Sequence, residues 1–385
     1  MNIREVGTAC VGCRGCEQIC PCNCIDINEN HEGFLYPVIR ENACVNCGLC
    51  VKHCPAMNPS KFQSEAPVAV YALKNKDEKR ILDSASGGAS DLIAHWAIKM
   101  SGVVFGCTYT KDMQVEHTSV DKYEELQRIQ SSKYVQSNLK NCYSIAKKFI
   151  DEGKVVLFTG TPCQIAGLYS YLGKREHGNL YTIDLICHGV PSPHFLLKYF
   201  KFLEKKLNEP VLEYNFRSKE KRGWGTHYLL RTATRTKSQA LSLDRYGKHF
   251  MDGDCYRECC YQCKYATTRR VGDITIGDFW GIQKCHPEFA SKFGVSSVLA
   301  NNEKGKLMIN SIRENAEIIE CSLDEVMMKQ GNLIRPTIRP DGRDLFYKNI
   351  TNEDFIEKIK IGLNIKERVK SVIPKSIIDY LKRRL

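Results

Sequence analysis

Residues 10–21 read CVGCRGCEQICP, and residues 44–55 read CVNCGLCVKHCP. Each is C-x2-C-x2-C-x3-C-P, the run that holds a cubane iron–sulfur cluster. Three closely spaced thiolates wrap one cluster face. The fourth follows a longer spacer and reaches the other cluster, and the proline turns the chain away. Cross-ligation therefore assigns Cys10, Cys13, Cys16 and Cys54 to one 4Fe–4S centre. It assigns Cys44, Cys47, Cys50 and Cys20 to a second. A pair of zinc knuckles is the alternative, but zinc favours two ligand pairs about a spacer rather than a triplet plus Cys-Pro given twice. Cys22 and Cys24, in PCNCIDI, are spare thiols beside the first motif that either pack or offer alternative ligands. Such centres move single electrons and leave substrate chemistry to something downstream.

Further cysteines stand where ligands are expected. Cys163 follows Gly-Thr-Pro in FTGTPCQIAG, Cys187 lies in DLICHGVPSP, and CYRECCYQCK covers 255–264. A lone cysteine is ordinarily a small buried hydrophobe. The Cys260-x2-Cys263 pair alone reads equally as a redox dithiol or half a zinc site. Taken together, Cys163, Cys187, Cys260 and Cys263 make a four-thiol set for a third 4Fe–4S centre, with Cys255 and Cys259 close by. Cys107, Cys142, Cys285 and Cys321 are isolated and read as packing residues. The turn Ser86-Gly87-Gly88-Ala89-Ser90 lets backbone N–H groups approach a phosphate, or is simply a capped tight turn. Neither the dinucleotide fingerprint nor the Walker loop is present.

These residues need elements to hold them. After a proline-punctuated linker at 61–67, the pattern predicts strands at 68–73, 103–109, 155–160 and 180–187, and another in 269–282. Helices are predicted at 84–100, 143–153, 163–173 and 192–207. Alternating strand and helix argues for an α/β sheet that is at least partly parallel. Ligands gather beyond the carboxyl ends of such strands, where Cys163 and Cys187 both fall. Each is followed by a helix start, whose free N–H groups and positive partial charge suit thiolates and anionic clusters.

The 385-residue chain is ordinary in composition, with 43% hydrophobic and 26% charged residues. Nothing in it approaches the roughly 18 apolar residues of a membrane span, and the start MNIREVGTAC has no apolar signal-peptide core. A cytoplasmic protein is expected, and there twenty cysteines argue for metal rather than disulfides. The formal charge of +12 counts thiols as neutral. Three clusters of about −2 each would bring it to roughly +6, and no recognition motif for nucleic acid accompanies the charge.

The order of SGGAS at 86–90, SKYVQS at 132–137, GTPCQIAGL at 160–168, DLICHGVPSP at 184–193, CCYQCKY at 259–265 and DITIGDFWG at 273–281 resembles the coenzyme F-420 hydrogenase/dehydrogenase beta-subunit family. The resemblance runs from about residue 5 to residue 350. It is closest to the bacterial branch associated with surface-polysaccharide clusters. It implies a flavin, FAD or FMN, beside an iron–sulfur centre. Ser86, Gly87, Gly88, Ser132, Lys133 and Tyr134 would then lie near the flavin. Gly160, Thr161, Gln164 and Asp278 are grouped with them as cofactor-binding candidates. Lys133 would stabilise an anionic reduced flavin or a phosphate. His188 would donate a proton, or orient its loop by a hydrogen bond. Asp278, with Phe279 and Trp280, shapes a ring-binding pocket or a core corner.

The expected class is α+β/α/β. Residues 1–60 form a 2×4Fe–4S ferredoxin-like module, and 68–350 a mixed α/β domain binding flavin and the third cluster. Residues 351–385 form a basic helical tail. KERVKSVIPKSIIDYLKRRL (366–385) carries seven Lys/Arg and two acids. This reads as an amphipathic helix for an anionic membrane surface, a partner or its own domain. The expected activity is that of a flavin- and iron–sulfur-dependent oxidoreductase acting on a small organic substrate, a deazaflavin coenzyme among the options. The alternative is an electron-transfer subunit relaying electrons to a partner enzyme. A redox partner protein or small-molecule donor and self-association are the expected interactions, and nucleic acid is not.

Overall fold

The computed structural model describes residues 2–173 and 177–359. The basic segment 366–385 lies outside them. Between the two cysteine runs, Ile25–Glu29 (β1) and Leu35–Ile39 (β2) pair antiparallel. This hairpin and the short helical turns around it enclose a small core in which Ile3, Val6, Ile25, Ile39 and Val51 pack among the cysteines. The expected linker is docked rather than free. Phe62 is buried against the Tyr169 ring, and Ser64 N donates to Arg270 O at 2.6 Å.

The α/β domain contributes Ala69–Asn75 (β3), Val103–Tyr109 (β4), Val115–Val120 (β5), Val156–Gly160 (β6) and Leu180–Leu185 (β7). Glu213–Asn215 (β8), His227–Arg231 (β9) and Thr236–Ala240 (β10) form a separate antiparallel sheet. Ile274–Asp278 (β11), Ser296–Ala300 (β12) and Ala316–Glu320 (β13) complete the main sheet, whose order is β13-β3-β12-β11-β7-β6-β4-β5. Its central four strands, β11, β7, β6 and β4, run parallel. The flanking strands are antiparallel.

Side chains alternate across this sheet with period two. Val104, Leu157, Ile183, Ile274 and Val298 face one layer, against the helices Ala89–Lys99 and Glu303–Ser311. Val103, Phe105, Val156 and Phe158 face the other, against Cys142–Asp151 and Pro162–Leu172. The small sheet closes over an aromatic cluster of Phe195, Tyr199, Tyr214, Phe216, Tyr246 and Phe346. Parallel strands buried on both faces explain the near-continuous apolar runs seen in the sequence. β5, β12, β13 and the small sheet were not anticipated.

Candidate functional site

The register brings Gly160 of β6 opposite Asp184 of β7, so the carboxyl ends of these strands lie level. Thr161 follows β6, and Pro162 opens the next helix with Cys163 in its first turn. Thr161 N donates to Gln164 Oε1 at 2.9 Å, fixing the turn, and Thr161 Oγ1 lies 3.2 Å from Cys163 Sγ. Cys187 and His188 come just beyond β7. The third wall is the turn Glu258–Gln262, running into Cys263. Arg270 and Asp184 hold that wall. They form a fully buried 2.9 Å ion pair, and Arg270 Nη1 and Nη2 donate to Tyr265 O and Leu185 O, both at 2.9 Å. The loop after Cys263 is thereby tied to the end of β7.

The result is a cavity of about 160 Å³ lined by Cys163, Cys187, Cys259, Cys260 and Cys263, with Thr161, Gln164 and His188 at its walls. Burial, together with Cys263 and Cys187, pushes the Cys163 thiol well up. Burial with Cys263 pushes Cys187 up to about 12. Cys259 bonds to Cys260, which lowers Cys259 and raises Cys260. Five thiols in mutual electrostatic contact cannot ionise together unless a cationic centre takes them as ligands. Such a donor set fits an iron–sulfur centre. Cys259, left without a role in the sequence reading, stands in the same cavity as the four expected ligands, and the doubled CC was its only signal.

The ferredoxin cysteines fall into two groups. Cys10, Cys13, Cys16 and Cys54 line one cavity, with Gly12 N 3.4 Å from Cys10 Sγ. Cys20, Cys44, Cys47 and Cys50 line another. Burial, with Cys54, Cys16 and Cys10, raises Cys13 far above the ordinary thiol range. Cys22 and Cys24 line the second cavity rather than the first, and Cys24 Sγ lies 3.5 Å from Cys20 Sγ. The spare thiols thus adjoin the second centre, because the chain reverses at Pro21 and carries them toward Cys44.

The two modules meet at the helix Pro162–Leu172. A Cβ on Gly167 would lie 3.0 Å from Cys13 Cβ, 3.2 Å from Cys13 Sγ and 2.6 Å from Tyr143 Oη. Cys13 therefore sits against the helix that carries Cys163. Tyr143 and Tyr265 feel both Cys13 and Cys163, so the two rings stand between the sites. Arg257, fully buried, donates to Cys10 O, Gln136 Oε1 and Leu35 O, and its guanidinium lies 4.0 Å from the centroid of Tyr36.

The expected flavin-side residues divide among three places. Gly160, Thr161 and Gln164 belong to the Cys163 turn, and Gln164 Nε2 donates to Ser137 Oγ at 3.0 Å. Asp278, at the end of β11, is clamped by Arg217 through two 2.7 Å bonds and accepts from Trp224 Nε1 at 2.6 Å. Burial raises the Asp278 carboxyl, and Arg217 more than offsets this, leaving it below the ordinary range. Arg217 also donates to Tyr134 Oη and Ala85 O. Trp224 stacks on Trp280 at 4.6 Å. Phe279 is buried in the core, so both readings of the Asp278-Phe279-Trp280 corner meet there.

The glycine turn does not form an open phosphate cradle. A Cβ on Gly87 would meet Leu73 O at 2.2 Å and Ser296 N at 2.6 Å, and Ser86 Oγ is spent on Val295 O. Lys219 seals its outer side with bonds to Ile81 O and Ser86 O. Ser132 adjoins Tyr134. Lys133 is separate, with two of its three ammonium hydrogens on Arg128 O and Gln130 O. His188 is exposed at the cavity mouth. Partial desolvation holds its imidazole below the ordinary range, with Asp278 opposing and Arg217 assisting. Its carbonyl accepts from Thr337 Oγ1 at 2.7 Å.

Among the described residues, no helix is long and apolar enough to cross a membrane. Residues 153–326 match the family described as the C terminus of the coenzyme F420 hydrogenase/dehydrogenase beta subunit. Residues 9–58 match the 4Fe-4S dicluster domain. Ferredoxin-type protein NapF of Haemophilus influenzae is 38% identical over 45 residues, 12% of this chain. The chain spans about a quarter (26%) of that relative's length. A chain of the F420-reducing NiFe hydrogenase complex from Methanosarcina barkeri is 15% identical, covering 77% of this chain and 92% of that one, with a TM-score of 0.46. This is an iron–sulfur redox protein of the coenzyme F420 hydrogenase/dehydrogenase beta-subunit family, carrying that family's C-terminal domain behind a 4Fe–4S dicluster domain.

Proposed function

We propose that the chain is an iron–sulfur oxidoreductase in which the two ferredoxin centres exchange electrons with a third 4Fe–4S centre in the five-thiol cavity. One observation carries this reading: Cys13 packs against the helix whose first turn bears Cys163, with Tyr143 and Tyr265 between them. Two redox centres separated by single side chains need no intermediate carrier. Cys10, Cys13, Cys16 and Cys54 would hold the inner ferredoxin centre, and Cys20, Cys44, Cys47 and Cys50 the outer one. Cys163, Cys187 and Cys263 would hold the third centre together with Cys260, leaving Cys259 as a spare sulfur.

A flavin, when bound, supplies hydride exchange with an organic molecule and single-electron exchange with clusters. Of the residues expected to hold it, Lys133 keeps donor capacity for an anionic group, whereas the Ser86–Gly88 turn is filled by its own chain. His188 stands between the thiol cavity and the Arg217–Asp278 pair, exposed and able to hold a proton for a small organic substrate. A deazaflavin coenzyme is one such substrate, and a partner protein is the other destination for the electrons.

The test is anaerobic reconstitution followed by iron, sulfide and flavin analysis. About twelve irons per chain are expected, and Cys163→Ala should lose about four of them. A Cys163→Ala protein with its full iron would overturn the third centre. Reconstitution with FAD or FMN that leaves no bound flavin would remove the hydride chemistry and favour the electron-transfer role.

A further inference from the structure

Four residues that the redox reading does not use converge at the β13 edge of the sheet. Cys285 ends the short helix Ile282–Cys285, and His286 follows it. Cys321 follows β13, anchored by its N–H to Val70 O at 2.9 Å. Glu325 lies in the helix Leu323–Met327. His286 Nε2 is 3.7 Å from Cys321 Sγ and 3.2 Å from Glu325 Oε1, and the three donor atoms all lie within 4.8 Å of one another. None of the three lines the thiol cavity.

We infer that His286, Cys321 and Glu325 form a binding site for a borderline-soft divalent cation of the zinc class. Bonds of about 2.0–2.3 Å to a tetrahedral ion place neighbouring donors about 3.3–3.8 Å apart. The two measured separations match that spacing before any ion is present. The donor set of one imidazole, one thiolate and one carboxylate neutralises a dication, and mixed nitrogen, sulfur and oxygen ligands are those zinc takes.

The surroundings are also those of a metal site. Glu325 Oε2 is occupied by Ser322 N at 2.7 Å and Ser322 Oγ at 3.0 Å, which fixes the carboxylate and leaves Oε1 turned to His286. The other imidazole nitrogen, Nδ1, faces Glu288 Oε1 at 3.7 Å. A metal-bound histidine characteristically gives its second N–H to a carboxylate, which sets its tautomer and raises its basicity. The fourth position stays open to water on this half-exposed surface. The ion would tie the segment after Asp278 to the edge strand β13, joining parts of the chain that are otherwise held by side-chain packing.

The experiment uses the full chain with its clusters loaded. It is incubated with zinc chloride and desalted, and zinc and iron are measured in the same sample. About one zinc per chain at unchanged iron is expected. Cys321→Ser and His286→Ala should each retain at least tenfold less zinc. Glu288→Gln should weaken binding about tenfold while leaving the stoichiometry at saturation unchanged. Zinc-edge X-ray absorption of the unmutated protein reads the ligand set without relying on any variant's folding, with one sulfur at about 2.3 Å and the remaining ligands at about 2.0–2.1 Å. Absence of retained zinc, equal zinc in both variants, or a shell of three or more sulfurs would overturn the site.

Discussion

Lys219 shows how far a single residue can be driven by its surroundings. Its ammonium is buried and donates only to carbonyls, those of Ile81 and Ser86. Burial, with Arg217 adding repulsion, lowers it to about 7. An unfolded lysine titrates near 10.4, so between the two values the folded chain binds fewer protons than the unfolded one. Stability therefore rises with pH across that window, by up to about 1.4 kcal/mol per pH unit. Chemical denaturation of the unmutated protein and Lys219→Met between pH 7 and 9 checks this. The variant should lose that component of the slope, and parallel slopes would show that Lys219 keeps its charge. The cysteine runs were legible because ligand spacing is a local property of the chain. Lys219 and Arg217 were not, since Arg217 meets Asp278 across 61 residues and its loop, FRSKEKRGWG, has no periodic pattern. Cys285 and Cys321 read as isolated for the same reason. Their companions His286 and Glu325 are polar surface types that only the fold brings beside Cys321.

At the scale of elements, the helix Pro162–Leu172 is the joint between the modules. Its start was legible from Gly-Thr-Pro after an apolar strand, and β4 and β6 were legible from their apolar runs. β13, reading AEIIE at the sheet edge, and the small sheet of β8, β9 and β10 were missed. Short, half-exposed strands carry too few apolar positions to show a period. The closeness of Cys13 to this helix depends on Gly167. In Gly167→Ala, the new methyl would sit 2.6 Å from Tyr143 Oη and 3.0 Å from Cys13 Cβ, so one of the two must yield. The expected cost is about 1–3 kcal/mol, as for other overpacked contacts. Because the movable partner is the ferredoxin module, electron transfer between the inner centre and the third should slow as well. Rapid-mixing reduction followed by freeze-quench electron paramagnetic resonance reads that rate. An unchanged rate in a destabilised variant would show that electrons take another route.

At the scale of the whole molecule, Arg257 is the cation on which both modules converge. Its hydrogen bonds run to neutral acceptors, two of them on the ferredoxin module, Cys10 O and Leu35 O, and one on Gln136. Burial alone would lower its affinity for the proton. Cys10, Tyr36, Cys259 and Cys260 more than offset this, so its charge is matched by thiolates on both sides. When these thiols hold clusters, the guanidinium faces two anionic centres from a fully buried position, where screening by salt is weak. Each centre becomes easier to reduce, because the added electron is attracted to the same charge. A unit charge at about 10 Å through an effective dielectric near 20 is worth roughly 1.7 kcal/mol, about 70 mV for a one-electron couple. Arg257→Gln removes the charge while keeping a donor for one of the carbonyls. Potentiometric titration monitored by electron paramagnetic resonance should find the inner ferredoxin centre and the third centre both shifted negative by about that amount. The outer ferredoxin centre, at Cys20, Cys44, Cys47 and Cys50, should move much less. A shift confined to one centre would place the arginine with that centre alone, and equal shifts in all three would mean that the substitution had disturbed the fold rather than the field.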